Sequence, residues 1–447
     1  MGTLKADHDR ALVERISAVA ILRPDGDGVD EIARRLAGAR LVLLGEATHG
    51  THEFYRVRAA LTRKLIADHG FTAVAIEGDW PDARRVDRYV RGLPGDRSAF
   101  DALGSFRRFP AWMWRNTDVV ELVDWLRAHN DARPPAARRV GFYGLDLYSL
   151  HASIAAVLEY LDRVDPEGAR RARARYACFD HAASDPQSYG FAAQFGLRPA
   201  CEEEVVAQLT EILQREWTSA DPADDDWFDA AQQARVVRNA ETYYRTMFLG
   251  RVEAWNVRDL HMADTLDLIA DHHGTRDEAG RVIVWAHNSH VGDGRATEMS
   301  AAGQLTLGQL ARTRHPGQVA LVGLTTHDGS VIAASDWDAP AERKPVRAAL
   351  PWSWEAMLHQ VDHGAFALAT GDVADLLPER GQRLERAIGV IYRAATERVS
   401  HYLATQLGEQ FDLIVHVDRT QALEPLERLA PTAAADHEAP ETFPTGI

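Results

Sequence analysis

The chain has 447 residues, 46% hydrophobic and 26% charged, the make-up of a soluble globular protein long enough for two or three ordinary domains or one elaborated α/β domain. Its formal net charge of -16 does not suit a nucleic-acid partner or an anionic membrane surface. Two cysteines, Cys178 and Cys201, give neither a disulfide framework nor a thiolate metal cluster, and a polar N-terminus without a long apolar run makes a reducing cytoplasm the simplest location.

Residues 8–22 and 28–37 read as two short helices around the loop Pro24-Asp25-Gly26-Asp27-Gly28. Leu41-Val42-Leu43-Leu44 is a buried strand that Gly45 ends. Glu46 and His49 follow at its mouth, with Gly50 beside the histidine to leave room for a substrate. Thr51 is placed to cap a new helix, whose apolar pattern starts at Phe54. At about 100° per residue, Phe54, Leu61 and Leu65 share one face, and Arg58 falls among them. A core-facing arginine needs an acidic or ligand partner, because an unpaired buried charge is costly. Glu46 or another strand-end carboxylate can supply that partner. Gly70 closes this helix.

Phe71–Ile76 is a second strand, with Glu77 just past its end. A helix over 82–90 follows. Trp112-Met113-Trp114-Arg115-Asn116 is a dense aromatic and basic cluster suited to the wall of a binding cleft, although buried tryptophan is as often plain core. A periodic helix spans 119–129, and Val140–Leu145 is a third strand ending at Asp146. From about 151 to 275 strand signals disappear. This stretch reads as a large helical insertion forming one wall of the active-site cleft, with 228–271 as one long helix or two bent at Gly250. Trp255, Arg258 and their neighbours are polar enough to reach into such a cleft. A solvated helix face is the plain alternative. Strands return at Val282–Ala286, Val319–Leu324, Ala365–Ala369, Ile388–Tyr392 and Phe411–Val415, and 431–447 reads as a flexible tail.

The fold expected is α/β, a mainly parallel central sheet flanked by helices, as one domain over 1–430. In such a sheet the strand ends carrying Glu46 and His49, then Glu77, then His287 and His290, line one edge, where ligands bind. No Gly-x-Ser-x-Gly run, phosphate loop or dinucleotide fingerprint occurs. What remains suits direct activation of water: a histidine takes the proton, a carboxylate orients, and Arg58 or a second histidine stabilises the oxyanion. Zinc held by His49, His52, Glu46, Glu77, His287 and His290 is the competing reading, without a standard ligand spacing.

Gly45-Glu46-Ala47-Thr48-His49-Gly50, Arg58, Glu77, Trp112-Met113-Trp114-Arg115-Asn116, Arg258-Asp259 and Ala286-His287-Asn288-Ser289-His290 together resemble the erythromycin esterase family over nearly the whole chain. Some members hydrolyse the macrolactone ester of macrolide antibiotics; others are labelled by association with succinoglycan synthesis. The resemblance implies His49 as general base and functional roles for Glu46, Arg58, Glu77, His287 and His290. It implies hydrolysis of an ester or lactone, a macrolide first, without a covalent intermediate. A tailoring enzyme of natural-product or polysaccharide metabolism is the other reading, as is a non-catalytic binding protein using the same cleft. Trp112, Trp114, Arg115, Trp255, Arg258 and Asn288 are the expected substrate contacts. The substrate is expected to be small-molecule but bulky and partly apolar, and neither cofactor nor metal is expected.

Overall fold

The computed structural model describes residues 2–134, 137–182, 186–216, 225–275, 279–377 and 382–427; the tail expected over 431–447 lies outside them. Its strands are β1 (Ile21–Leu22), β2 (Leu41–Leu44), β3 (Ala73–Asp79), β4 (Gly141–Asp146), β5 (Val282–Trp285), β6 (Val319–Ala333), β7 (Glu342–Val346), β8 (Ala365–Ala369), β9 (Arg383–Arg386), β10 (Tyr402–Thr405) and β11 (Leu413–Thr420). The architecture is mixed α/β with a mostly parallel central sheet flanked by helices. Two compact units form, one of residues 1–74, 88–141 and 281–447, the other of 75–87 and 142–280.

In the first unit β11, β6, β2 and β5 are neighbours and run parallel, while β8 and β1 add antiparallel strands outside β11. β2 is buried at every residue, which is why its sequence is continuously apolar rather than alternating. Register decides where each strand delivers the chain: Leu44 pairs with Trp285 on one side and Val322 on the other. The segments leaving β2 and β5 therefore emerge side by side, and Asn288 N–H donates to the Glu46 carbonyl at 2.8 Å.

The helix His52–His69 packs with Phe54, Leu61 and Leu65 fully buried, and Gly70 closes it in the left-handed conformation at φ 71°. Thr51 occupies its N-cap position, but no side-chain capping bond forms; its hydroxyl meets that of Thr48 instead. β6 runs far beyond the expected 319–324 and carries a hairpin partner, β7. Residues 388–392 make isolated bridges, Ile388 to Thr48 and Ile391 to Ala334, rather than the expected strand.

The second unit contributes β3 and β4, neighbours in the sheet order, and a set of helices. The expected helical character of 151–275 holds among the described residues, and the long pattern divides into Asp225–Thr246 and Arg251–His272 on either side of Gly250. These helices enclose their own apolar core, including Val157, Phe179, Tyr189, Ile212 and Val237. Cys178 and Cys201 are joined by a disulfide across a Cα separation of 6.0 Å. Read from the sequence, two cysteines give no disulfide framework; the structure joins them in one bridge. Folding brings together a short helical turn at 177–182 and the start of the helix Glu202–Glu216, a proximity with no local sequence signal. Such a bond is one that a reducing cytoplasm does not favour.

Candidate active site

Gly45 is required by close packing. A Cβ there would overlap the Asn288 side-chain oxygen, and its own N–H donates to Val322 O at 2.7 Å. The chain then turns Glu46 inward, 1% exposed. One carboxylate oxygen of Glu46 lies 3.0 Å from His49 Nδ1, and the other accepts from Arg58 Nη2 at 2.6 Å. The expected pairing of Arg58 with Glu46 is thus realised, at full burial of the guanidinium. Arg58 Nε and Nη1 find no acceptor among the described residues. The cation lies instead against ring faces, 4.4 Å from the centroid of Tyr55 and 4.6 Å from that of Trp285. Cation–π contact of this kind compensates part of the desolvation of a buried cation.

The carboxylate orders the imidazole. An ionised Glu46 only accepts, so His49 Nδ1 carries the proton and Nε2 the lone pair. Tyr55 fixes the loop, its hydroxyl donating to the carbonyls of His49 and Met113 at 2.9 Å each. His287, fully buried, stands beside His49, their ring centroids 4.9 Å apart. Its Nδ1 accepts the Ser289 N–H at 3.2 Å and lies 2.8 Å from the Ser289 hydroxyl. In the neutral ring the proton therefore sits on Nε2. Two imidazoles of opposite tautomers stand next to each other.

Gly50 has a different task from the one expected. A Cβ there would overlap the Ile332 carbonyl, and Gly50 O accepts from Ile332 N–H and Leu423 N–H at 3.0 Å each. The missing side chain makes room for β6, not for a substrate. His52 turns away to Asp118, 2.8 Å from its carboxylate. Asn288 is a brace: its amide donates to Leu324 O at 3.0 Å and to Glu385 at 3.1 Å, and accepts from Leu324 N–H at 3.3 Å. Glu385 is pushed up to about 8, first by burial and then by the nearby Glu355 charge, so it is protonated at neutral pH. His290 is buried in the same short helix as Asn288. Trp112 and Trp114, expected as a cleft wall, are each 5% exposed and packed inside, and Arg115 is held by Glu427 and by the Leu103 carbonyl.

Glu77 and Arg258 belong to the second unit. Glu77 lies within β3 rather than past its end. Arg258 donates to Glu77 at 2.7 Å and grips Asp146 with two bonds of 3.0 and 2.7 Å. Burial opposes the Arg258 charge, but Asp146, Tyr148 and Glu77 outweigh it and hold the guanidinium well above its ordinary range. The arginine expected to contact substrate is thus an ion-pair partner of two carboxylates. Trp255, in the same helix, is 8% exposed.

Tyr55, Trp285, Ser289 and Asp146 were not singled out as site residues. Asp146 had the same signal as Glu77, a carboxylate at a strand end. Ser289 had its place between two motif histidines. Tyr55 and Trp285 had none, because only the tertiary fold lays them against Arg58.

The family profile described as Erythromycin esterase matches residues 66–420. The protein YbfO of Bacillus subtilis (strain 168), provisionally named a hydrolase, is 23% identical over 346 residues, 74% of each chain. Erythromycin esterase type II of Escherichia coli is 28% identical over 121 residues, 27% of this chain and 26% of that one. Among solved structures, a Bacillus cereus protein superposes with a TM-score of 0.76 at 19% identity, covering 94% of this chain and 99% of the other. A succinoglycan biosynthesis protein gives 0.73 at 20% identity, covering 93% and 98%. A mutant erythromycin esterase in its open conformation gives 0.63 at 17% identity, covering 90% and 97%.

Proposed function

The chain belongs to the erythromycin esterase family, and from that premise we propose that it hydrolyses a carboxylic ester or lactone with water activated by His49. The observation that carries this reading is the buried series Arg58–Glu46–His49, closed at 2.6 and 3.0 Å. Arg58 donates to one oxygen of Glu46 and fixes the carboxylate in a buried setting. Glu46 holds His49 Nδ1–H and leaves Nε2 as the proton acceptor. Water loses a proton to Nε2 as its oxygen attacks the acyl carbon. Charge then develops on the former carbonyl oxygen. His287 Nε2–H is the nearby neutral donor suited to it. Collapse of the tetrahedral intermediate expels the alcohol, which recovers the proton from His49. No serine or cysteine nucleophile enters, so no acyl-enzyme forms.

His290 and the Arg258-bound Glu77 keep functional roles in this proposal, on the strength of the motif match. A macrolide macrolactone is the leading substrate, favoured by relatives named erythromycin esterase. The test is mass spectrometry of a macrolide panel after incubation. Addition of one water, with label from heavy-oxygen water in the new carboxylate, is the expected result. Unchanged macrolides alongside hydrolysis of other esters would move the substrate to another natural product or polysaccharide. No hydrolysis across a broad ester and lactone panel would overturn the reading.

A further inference from the structure

A second group of chemistry-bearing side chains lies in the first unit, on residues the proposed reaction does not use. His327 and Asp418 project from β6 and β11, which pair in parallel with Val417 opposite Thr326. His359 comes from the short helical turn His359–Val361. One donor atom from each of the three lies within 4.8 Å of the others. We propose that His327, His359 and Asp418 bind a divalent transition-metal ion of the zinc class.

The donor set is two imidazoles and one carboxylate, which suits such an ion and leaves a coordination position open. Around zinc, with bonds of about 2.0–2.2 Å, tetrahedral donors stand about 3.3 Å apart. The group therefore needs only a small closure. His359 can supply it, since its side chain is 48% exposed and its one strong tie is to Asp418 itself, at 2.6 Å. The His327 and His359 rings lie face to face, centroids 3.9 Å apart.

The surroundings are arranged as metal sites require. Asp328 lies 3.1 Å from His327 Nδ1. That carboxylate accepts from Nδ1–H, which puts the lone pair on Nε2, the usual outer support of a ligating histidine. His416 is 1% exposed, with Nδ1 tied to the Thr325 hydroxyl at 2.9 Å. Its Nε2 faces the Asp418 carboxylate at 3.5 Å. Arg419, 3.6 Å from Asp328, is 84% exposed and free to swing away. Asp328 and Asp418 together give the negative charge that attracts a dication.

Such an ion would fasten the 359–361 turn to β6 and β11, and would stabilise the fold by mass action because the unfolded chain lacks the site. The experiment uses the full chain stripped with chelator, then titrated with Zn²⁺ by calorimetry and with Co²⁺ as the absorbing probe. One saturable equivalent, a higher melting temperature and the visible band of four-coordinate Co²⁺ are expected. His359→Ala and His327→Gln should each weaken Zn²⁺ binding at least about tenfold. If either variant fails to fold, the other gives the same reading. No saturable equivalent, or unchanged affinity in the folded variant, would overturn the proposal.

Discussion

Replacing Glu46 by glutamine changes almost no volume, yet should stop the chemistry by reversing one hydrogen bond. Arg58 only donates, and it sits 2.6 Å from one Glu46 oxygen. In Glu46→Gln the amide oxygen must take that place. The amide NH₂ is then left facing His49 Nδ1, where a carboxylate oxygen now lies at 3.0 Å. His49 must accept at Nδ1, so its proton moves to Nε2 and the base is blocked. The opposite amide orientation sets donor against donor beside a fully buried cation, at a cost of about 1–3 kcal/mol or more. The tautomer is therefore forced by roughly fivefold to more than a hundredfold, and the rate should fall by about 10²–10⁴, the size of a general-base contribution. Arg58 is left buried without its counter-charge, so the fold should lose up to about 3–5 kcal/mol, less whatever the retained hydrogen bond from Arg58 to the amide oxygen recovers. The assay pairs steady-state hydrolysis of a cleaved substrate with nitrogen NMR of the His49 ring. Full turnover in a folded Glu46→Gln protein would refute the reasoning, as would an unchanged His49 tautomer.

His49→Asn should cost a comparable factor of about 10²–10⁴ in kcat, whereas His52→Asn, whose ring binds Asp118, should be near neutral; a larger loss at His52 would favour a metal-ligand role there. Arg58→Met should destabilise by about 3–5 kcal/mol by leaving Glu46 buried and unpaired, with part of the loss recovered on adding Glu46→Gln, read from urea midpoints. Gly50→Ala should cost about 3 kcal/mol, the upper end for overpacking, because only backbone lies in its path. Glu385 keeps its proton in the folded state up to about 8, while the unfolded chain releases it in the ordinary carboxyl range. Between those values the folded state binds more protons, so stability falls by up to about 1.4 kcal/mol per pH unit as pH rises. Glu385→Gln should flatten that slope. On the acid side, burial lowers His261 and His401 to about 4, so stability should be lost as pH falls from about 6.5 towards 4, measurable by thermal melts across pH.

The centre of the site was legible because its signals are local. Glu46 and His49 follow a continuous apolar strand, and Arg58 interrupts an apolar helix stripe at full burial. Bringing His287 beside them needed only the expectation of parallel strand ends. What could not be read depends on contacts made by the fold. Gly50 looked like space for a ligand because nothing nearby in sequence announces that Ile332 fills it. Asn288 looked like a substrate contact, since an amide bonded across three segments has the same letter as one facing solvent. The tryptophans at 112 and 114 carry no mark that separates a wall from a core. Residues 388–392 have strand composition but meet the sheet only at single bridges. Arg258 was placed among polar groups, but its pairing with Asp146 joins a helix to a strand more than a hundred positions away.

The hydrogen bond from Asn288 N–H to the Glu46 carbonyl has a consequence for anyone reshaping this protein. The two loops that carry His49 and His287 are stitched together through main-chain atoms, and the stitch is backed by a side-chain amide and by a glycine without room to grow. Neither loop can drift without moving the other. Libraries aimed at a new substrate should therefore hold 45–50 and 286–290 constant and place their diversity elsewhere, because variation inside that pair would separate the two loops before it altered what the protein accepts.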